Sequence, residues 1–288
     1  LNKKSLILLF IGLILTGAII FLGKNYSVTK KNELLRQGEA QERFVQGQEE
    51  NQTTNEKNNL EAKALEFQNK RANLSINDYL TLVNAKNNKV TLAFYGDNSE
   101  TEQWTPTVKP ATIEKTGLAN LEMNRFYFPG YDSLRLTNEN ASEKLIQLKP
   151  DVVFFFIPVV GNQAVDISLD ASIQAILASY QALKEQLPDS LIVAVTPVPS
   201  SSLMNKFNSR TLDYTSYVTD AVTVLTENEV PLLDLHSLYL SELETTNQLL
   251  ANTLESDGIQ LNPQGVTIAT TLFLNQLASP RDTTSGID

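Results

Sequence analysis

The chain opens on an unbroken apolar stretch. Lys3 and Lys4 are followed by an uncharged, Leu- and Ile-rich run from Ser5 to Gly23, closed by Lys24. About 19 residues give roughly 28 Å as a helix, enough to cross a bilayer. A membrane-spanning signal anchor over residues 1–24 is expected. A cleaved signal peptide is the alternative, but its apolar stretch is normally shorter, and no convincing small-x-small cleavage site precedes Tyr26. From residue 25 to 73 Gln, Asn, Glu and Lys dominate. Apolar residues such as Leu34, Phe44 and Leu60 are too irregular for a sustained heptad, and Gly38 and Gly47 weaken any continuous helix. This segment reads as a solvated stalk or linker; a coiled-coil dimerisation segment is the sharper alternative.

The pattern changes again from about Ile76. Val90–Tyr95, Asp151–Ile157, Leu191–Val195 and Val230–Asp234 are short, nearly continuous apolar runs, each ended by Gly, Pro or a polar turn. Such runs suit strands buried on both faces. Helical spacing lies between them. Ile173, Ile176, Leu177, Tyr180 and Leu183 share one face, as do Tyr217, Val218, Ala221, Val222 and Leu225. Strand and helix in alternation imply a parallel sheet covered by helices, with function at the carboxyl ends of the strands. The folded domain is expected over residues 74–279, followed by a short, disordered tail over 280–288.

Composition narrows the chemistry. The 288 residues carry a net charge of −10, which argues against nucleic acid as a partner. There is no cysteine and a single histidine, His236. Thiol nucleophiles and metal sites built on two or more imidazoles are therefore excluded. No cofactor is expected: the sequence has no GxxxxGK[ST] phosphate loop, no HExxH and no EF-hand loop.

Two separated blocks carry the candidate chemistry. The first apolar run ends in Gly96-Asp97-Asn98-Ser99, and Asp257-Gly258-Ile259-Gln260-Leu261-Asn262-Pro263 precedes the last helix. These blocks resemble the SGNH hydrolases, the GDSL esterase and lipase superfamily, over roughly residues 88–278. In that family Gly-Asp-Ser after the first strand carries the nucleophile, and Asp-x-x-His carries the orienting acid and the base. The resemblance implies a three-layer α/β/α, flavodoxin-like domain with a parallel sheet. It places Asn98 at the serine position, Gln260 at the histidine position and Asp257 at the acid position. It also implies an oxyanion-hole role for Gly130, in Phe128-Pro129-Gly130-Tyr131, and for Asn162, near a block that departs from the family's Gly-x-Asn-Asp.

The substitutions remove the reaction's moving parts. An amide nitrogen is not nucleophilic, and a glutamine does not titrate near neutral pH. Loss of one triad member leaves only ~10³–10⁴-fold over water, and such losses act as a unit. Ser99 is the alternative nucleophile, but it would need a rebuilt loop. Asp97 is expected to brace the turn, Trp104 to pack the first helix, and His236 to be structural. The leading expectation is a catalytically degenerate domain, anchored in the cell membrane and displayed outside the cytoplasm, that binds an acylated or polysaccharide ligand of the cell envelope or an assembly partner. The alternatives are an active esterase, deacetylase or acyltransferase with a relocated nucleophile, and a structural stalk or scaffold.

Overall fold

The computed structural model describes residues 62–99 and 102–287. The expected anchor over residues 1–24, and the stalk up to residue 61, lie outside the described residues. No helix among the described residues is long and apolar enough to cross a membrane.

Helix α1 is described over residues 62–69. The elements that follow are β1 (Leu74–Ser75), α2 (Ile76–Asn87), β2 (Val90–Gly96), α3 (Thr105–Thr116), β3 (Leu121–Tyr127), α4 (Ser133–Asn138), α5 (Glu143–Leu148), β4 (Val152–Phe156) and α6 (Val159–Ala164). Then come α7 (Leu169–Gln186), β5 (Leu191–Val195), α8 (Tyr214–Glu227), β6 (Leu232–Leu233), α9 (Leu235–Thr245), α10 (Pro263–Ala278) and β7 (Pro280–Arg281). Five strands form one sheet in the order β3-β2-β4-β5-β6, and every neighbouring pair is parallel. Counted along the sheet's own strands this is the 2-1-3-4-5 flavodoxin-like order, whose switch point falls between β2 and β4.

The apolar runs explain the layering. Side chains alternate across a strand, so Leu92, Phe94, Val152, Phe154, Phe156, Leu191 and Val193 enter one core with residues of α2, α3, α9 and α10. Ala93, Tyr95, Val153, Phe155, Ile192 and Ala194 enter the other, with α4, α5, α7 and α8. Both faces of β2, β4 and β5 are buried, as the continuous runs require. Trp104 is buried at the head of α3, edge-on to Phe94 and Phe156. The run Val230–Asp234 yields a strand of only two residues, β6, at the edge of the sheet. Pro231 just before it has no N–H to give to a ladder.

Two expected boundaries are corrected. The domain starts before residue 74, and residues 280–287 are ordered against it. β7 pairs antiparallel with β1, Leu74 opposite Arg281. The buried Arg71 guanidinium donates to the carbonyls of Thr283 and Thr284. Thr283 returns both its N–H and its hydroxyl to the Arg71 carbonyl. Lys184 at the end of α7 donates to the Ser285 carbonyl, and Ile287 N–H to the Tyr79 hydroxyl. A polar composition marks a solvated tail only when its groups lack internal partners, and here main-chain carbonyls supply them.

Candidate active site

The site is built on Gly96, the last residue of β2. Its φ is +120°, and a Cβ there would lie 2.2 Å from the Phe156 carbonyl oxygen of β4. Only glycine fits this turn. The chain then delivers Asp97, Asn98 and Ser99 over the carboxyl ends of β2 and β4.

Asp97 ties the corners together. Its Oδ1 accepts the Gly130 N–H at 2.8 Å, and the Gly161 N–H favours the charged carboxylate. Gly130 follows β3 and Gly161 lies in α6 after β4, so the carboxyl sits where three strand ends meet. A Cβ on Gly161 would meet the Tyr131 carbonyl oxygen at 2.2 Å, which shows how tightly α6 sits on the Pro129-Gly130-Tyr131 corner. Burial pushes the Asp97 pKa up to about 6, and the two N–H bonds offset part of that rise. The bracing role expected of Asp97 is what the geometry gives it.

Asn98 and Gln260 meet in one cleft of about 330 Å³. Asp97, Ser99 and Gly130 line it as well. Its apolar wall comes from Pro129, Val160, Val198, Leu203, Ile259 and Leu261. The side-chain Oδ1 of Asn98 accepts the Ser99 N–H at 2.8 Å. Gln260 is fixed through its backbone, accepting from Glu255 N–H at 2.7 Å.

The remaining expected residues stand elsewhere. Asp257 is exposed and does not line the cleft. Its carboxylate accepts from the N–H groups of Ile259 (2.8 Å) and Gln260 (2.9 Å), and these bonds hold its pKa below the usual carboxylate value. It closes its own turn. Asn162 is fully buried outside the cleft. Its Oδ1 accepts from Ser133 N–H, and its Nδ2 donates to the hydroxyls of Ser133 and Ser172. The amide is fully engaged, so the oxyanion role expected of Asn162 is not met. The Gly130 N–H is likewise committed to Asp97.

Two features of the wall were not singled out from sequence. Glu102 caps α3, accepting from the N–H groups of Trp104 (2.9 Å) and Thr105 (3.0 Å), and burial raises its pKa. Tyr214, first residue of α8, lines the cleft, though its spacing marks only a helix. Ser200 also lines the cleft, donates its hydroxyl to the Gly258 carbonyl at 2.7 Å and so fastens the Asp257–Gln260 turn. His236 is buried behind this wall. Its backbone N–H donates to Thr196 Oγ1, and burial lowers the imidazole pKa, with Asp234 and Asp213 opposing. No imidazole and no Lys or Arg lines the cleft, and no cluster suited to a metal occurs among the described residues.

No family model matches the chain, and no curated protein matches it. Solved structures do. A GDSL-like lipase from Parabacteroides merdae superposes with a TM-score of 0.53 at 14% identity, covering 66% of this chain and 95% of that one. Two mutants of Axe2, an acetylxylan esterase from Geobacillus stearothermophilus, give a TM-score of 0.50 at 16% and 17% identity, covering 65% of this chain and 94% of theirs. At such identities the likeness is one of fold, and the fold is that of the GDSL-like, SGNH-type hydrolases.

Proposed function

We propose that this protein is a catalytically silent SGNH-type domain, held outside the cytoplasmic membrane by its N-terminal apolar segment, that binds an acylated or polysaccharide ligand of the cell envelope. One observation carries the reading. At the carboxyl edge of the sheet, the cleft presents two amides, Asn98 and Gln260, where the fold's hydrolases would need a nucleophile and a base. Asp97 and Glu102 line it as well, but both carboxyls already accept backbone N–H bonds. Ser99 is there, but the chain's one imidazole is buried behind the wall. A cleft walled by Pro, Val, Leu and Ile with a few polar groups suits a small, partly apolar ligand. The glycan or acyl identity rests on analogy with what the structural neighbours are named for, acetylxylan and lipid esters.

The test is turnover of triacetin, a soluble acyl ester, by the full chain beside Asn98→Ser/Gln260→His and Ser99→Ala variants. The expected outcome is a silent wild type and measurable turnover by the double variant. Hydrolysis by the wild type that Ser99→Ala abolishes would overturn the reading in favour of a relocated nucleophile.

A further inference from the structure

The chain's single imidazole touches the one phenol among the described residues that line the cleft. The Tyr214 hydroxyl lies 3.3 Å from His236 Nε2 and accepts the Ser200 N–H at 2.8 Å. Tyr214 and Ser200 both line the cleft, and His236 does not. The rings meet edge to face, centroids 5.7 Å apart. No triad geometry calls for this pair.

A hydroxyl has one proton and two lone pairs. Ser200 N–H takes one lone pair. If Nε2 is bare, the phenol gives its proton to the imidazole and shows the cleft an acceptor. If Nε2 carries hydrogen, the phenol accepts from it and its own proton is free for the cleft. The state of the imidazole therefore decides what Tyr214 offers a ligand. Three titratable groups face His236: Tyr214 and Asp213 at the start of α8, and Asp234, which caps its own helix α9. Tyr214 stays a neutral phenol, because burial pushes its pKa up to about 12.

The ligand's class follows from the rest of the wall. With no Lys or Arg among the described residues that line it, and with two carboxyls, Asp97 and Glu102, the wall repels an anion. A neutral molecule carrying a carbonyl or hydroxyl oxygen is not. We infer that Tyr214 is the ligand-reading hydroxyl of the cleft and that His236 is its positioning residue, setting the polarity of that hydroxyl toward a neutral, oxygen-bearing ligand. This rests on the binding reading above. Coupling between ligand and imidazole is reciprocal, so a bound ligand reports on His236.

Having a single histidine makes the test direct. The full chain, labelled with ¹⁵N at histidine and glycine, is titrated with triacetin, and the His236 ring nitrogens and the Gly130 amide of the cleft floor are followed. Without ligand, Tyr214→Phe is expected to move the Nε2 resonance; an unmoved resonance would mean that the bond is not made and would overturn the inference. With triacetin, both signals are expected to shift in the wild type. In Tyr214→Phe only Gly130 should shift, with a Kd about three- to tenfold weaker for one lost hydrogen bond. If Gly130 shifts and His236 stays still in the wild type, the cleft binds without using Tyr214: the binding reading stands and this inference falls. If neither shifts, the binding reading fails for acyl esters and takes the inference with it. A merely structural His236 would not lose a ligand-induced shift on Tyr214→Phe.

Discussion

The two motif blocks keep their frames for different reasons. At the first, Asp97 is partly buried, has a raised pKa, and links the corners after β2, β3 and β4. At the last, Asp257 is exposed and binds only the two N–H groups of its own turn. One aspartate holds the sheet's carboxyl edge; the other holds a loop. Both do structural work that needs no serine or histidine beside them. Structural bonds alone can therefore hold a motif's frame, and a motif's spacing is weaker evidence of catalysis than the identity of its reacting residues.

The sharpest break of that comparison is Gly96→Ala. Strain at φ +120° together with overlap on the Phe156 carbonyl is expected to cost about 3 kcal/mol or more, read from urea unfolding. Gly258→Ala, in the other block at φ +67°, should cost less. Next is Asn162→Ala. It strands the Ser133 N–H in the core and should cost about 2 kcal/mol without altering the Gly130 amide resonance, since Asn162 lies outside the cleft.

Asp97→Asn comes third. The native state holds this proton more tightly than the unfolded chain, about 6 against 3.8. Its contribution to stability is therefore present at low pH and lost as pH rises through about 6. The wild type should lose ~1–2 kcal/mol across that window, after allowance for partial exposure of the carboxyl. The asparagine variant should show a flatter profile; a wild-type curve that rises instead would contradict the placement of Asp97. The smallest effect belongs to Asp257→Ala. The global unfolding midpoint should stay in place, while amide hydrogen exchange speeds up at Ile259 and Gln260 only.

The sheet was legible because strands buried on both faces must be apolar at every position, as in Val152–Phe156. The edge strand β3 was not. Its interior residues Glu122, Asn124 and Arg125 are polar or charged, and only the Pro129-Gly130 corner pointed to it. In the site, Asp97, Asn98 and Gln260 were singled out by the resemblance of their blocks to Gly-Asp-Ser and Asp-x-x-His, and all three line the cleft. Asn162 was misread because a buried bracing amide and a catalytic donor amide are the same residue type, and only the neighbours Ser133 and Ser172 distinguish them. Tyr214 gave no sequence signal at all, because its hydroxyl's partners, Ser200 and His236, lie 14 and 22 residues away.

The fastening of Arg71 to the C-terminal segment has a mechanical consequence. Lys184, which grips the Ser285 carbonyl, also donates to the carbonyls of Pro188 and Ser190, just ahead of β5. The collar formed by Arg71, β1 and β7 therefore sits at the amino ends of the strands, and the cleft at their carboxyl ends. A pull applied at residue 62 runs through α1, where Phe67 packs on the core and Gln68 accepts from Lys86, and then into the collar. The cleft lies off that path, so such a pull loosens the last residues of the domain before it distorts the site.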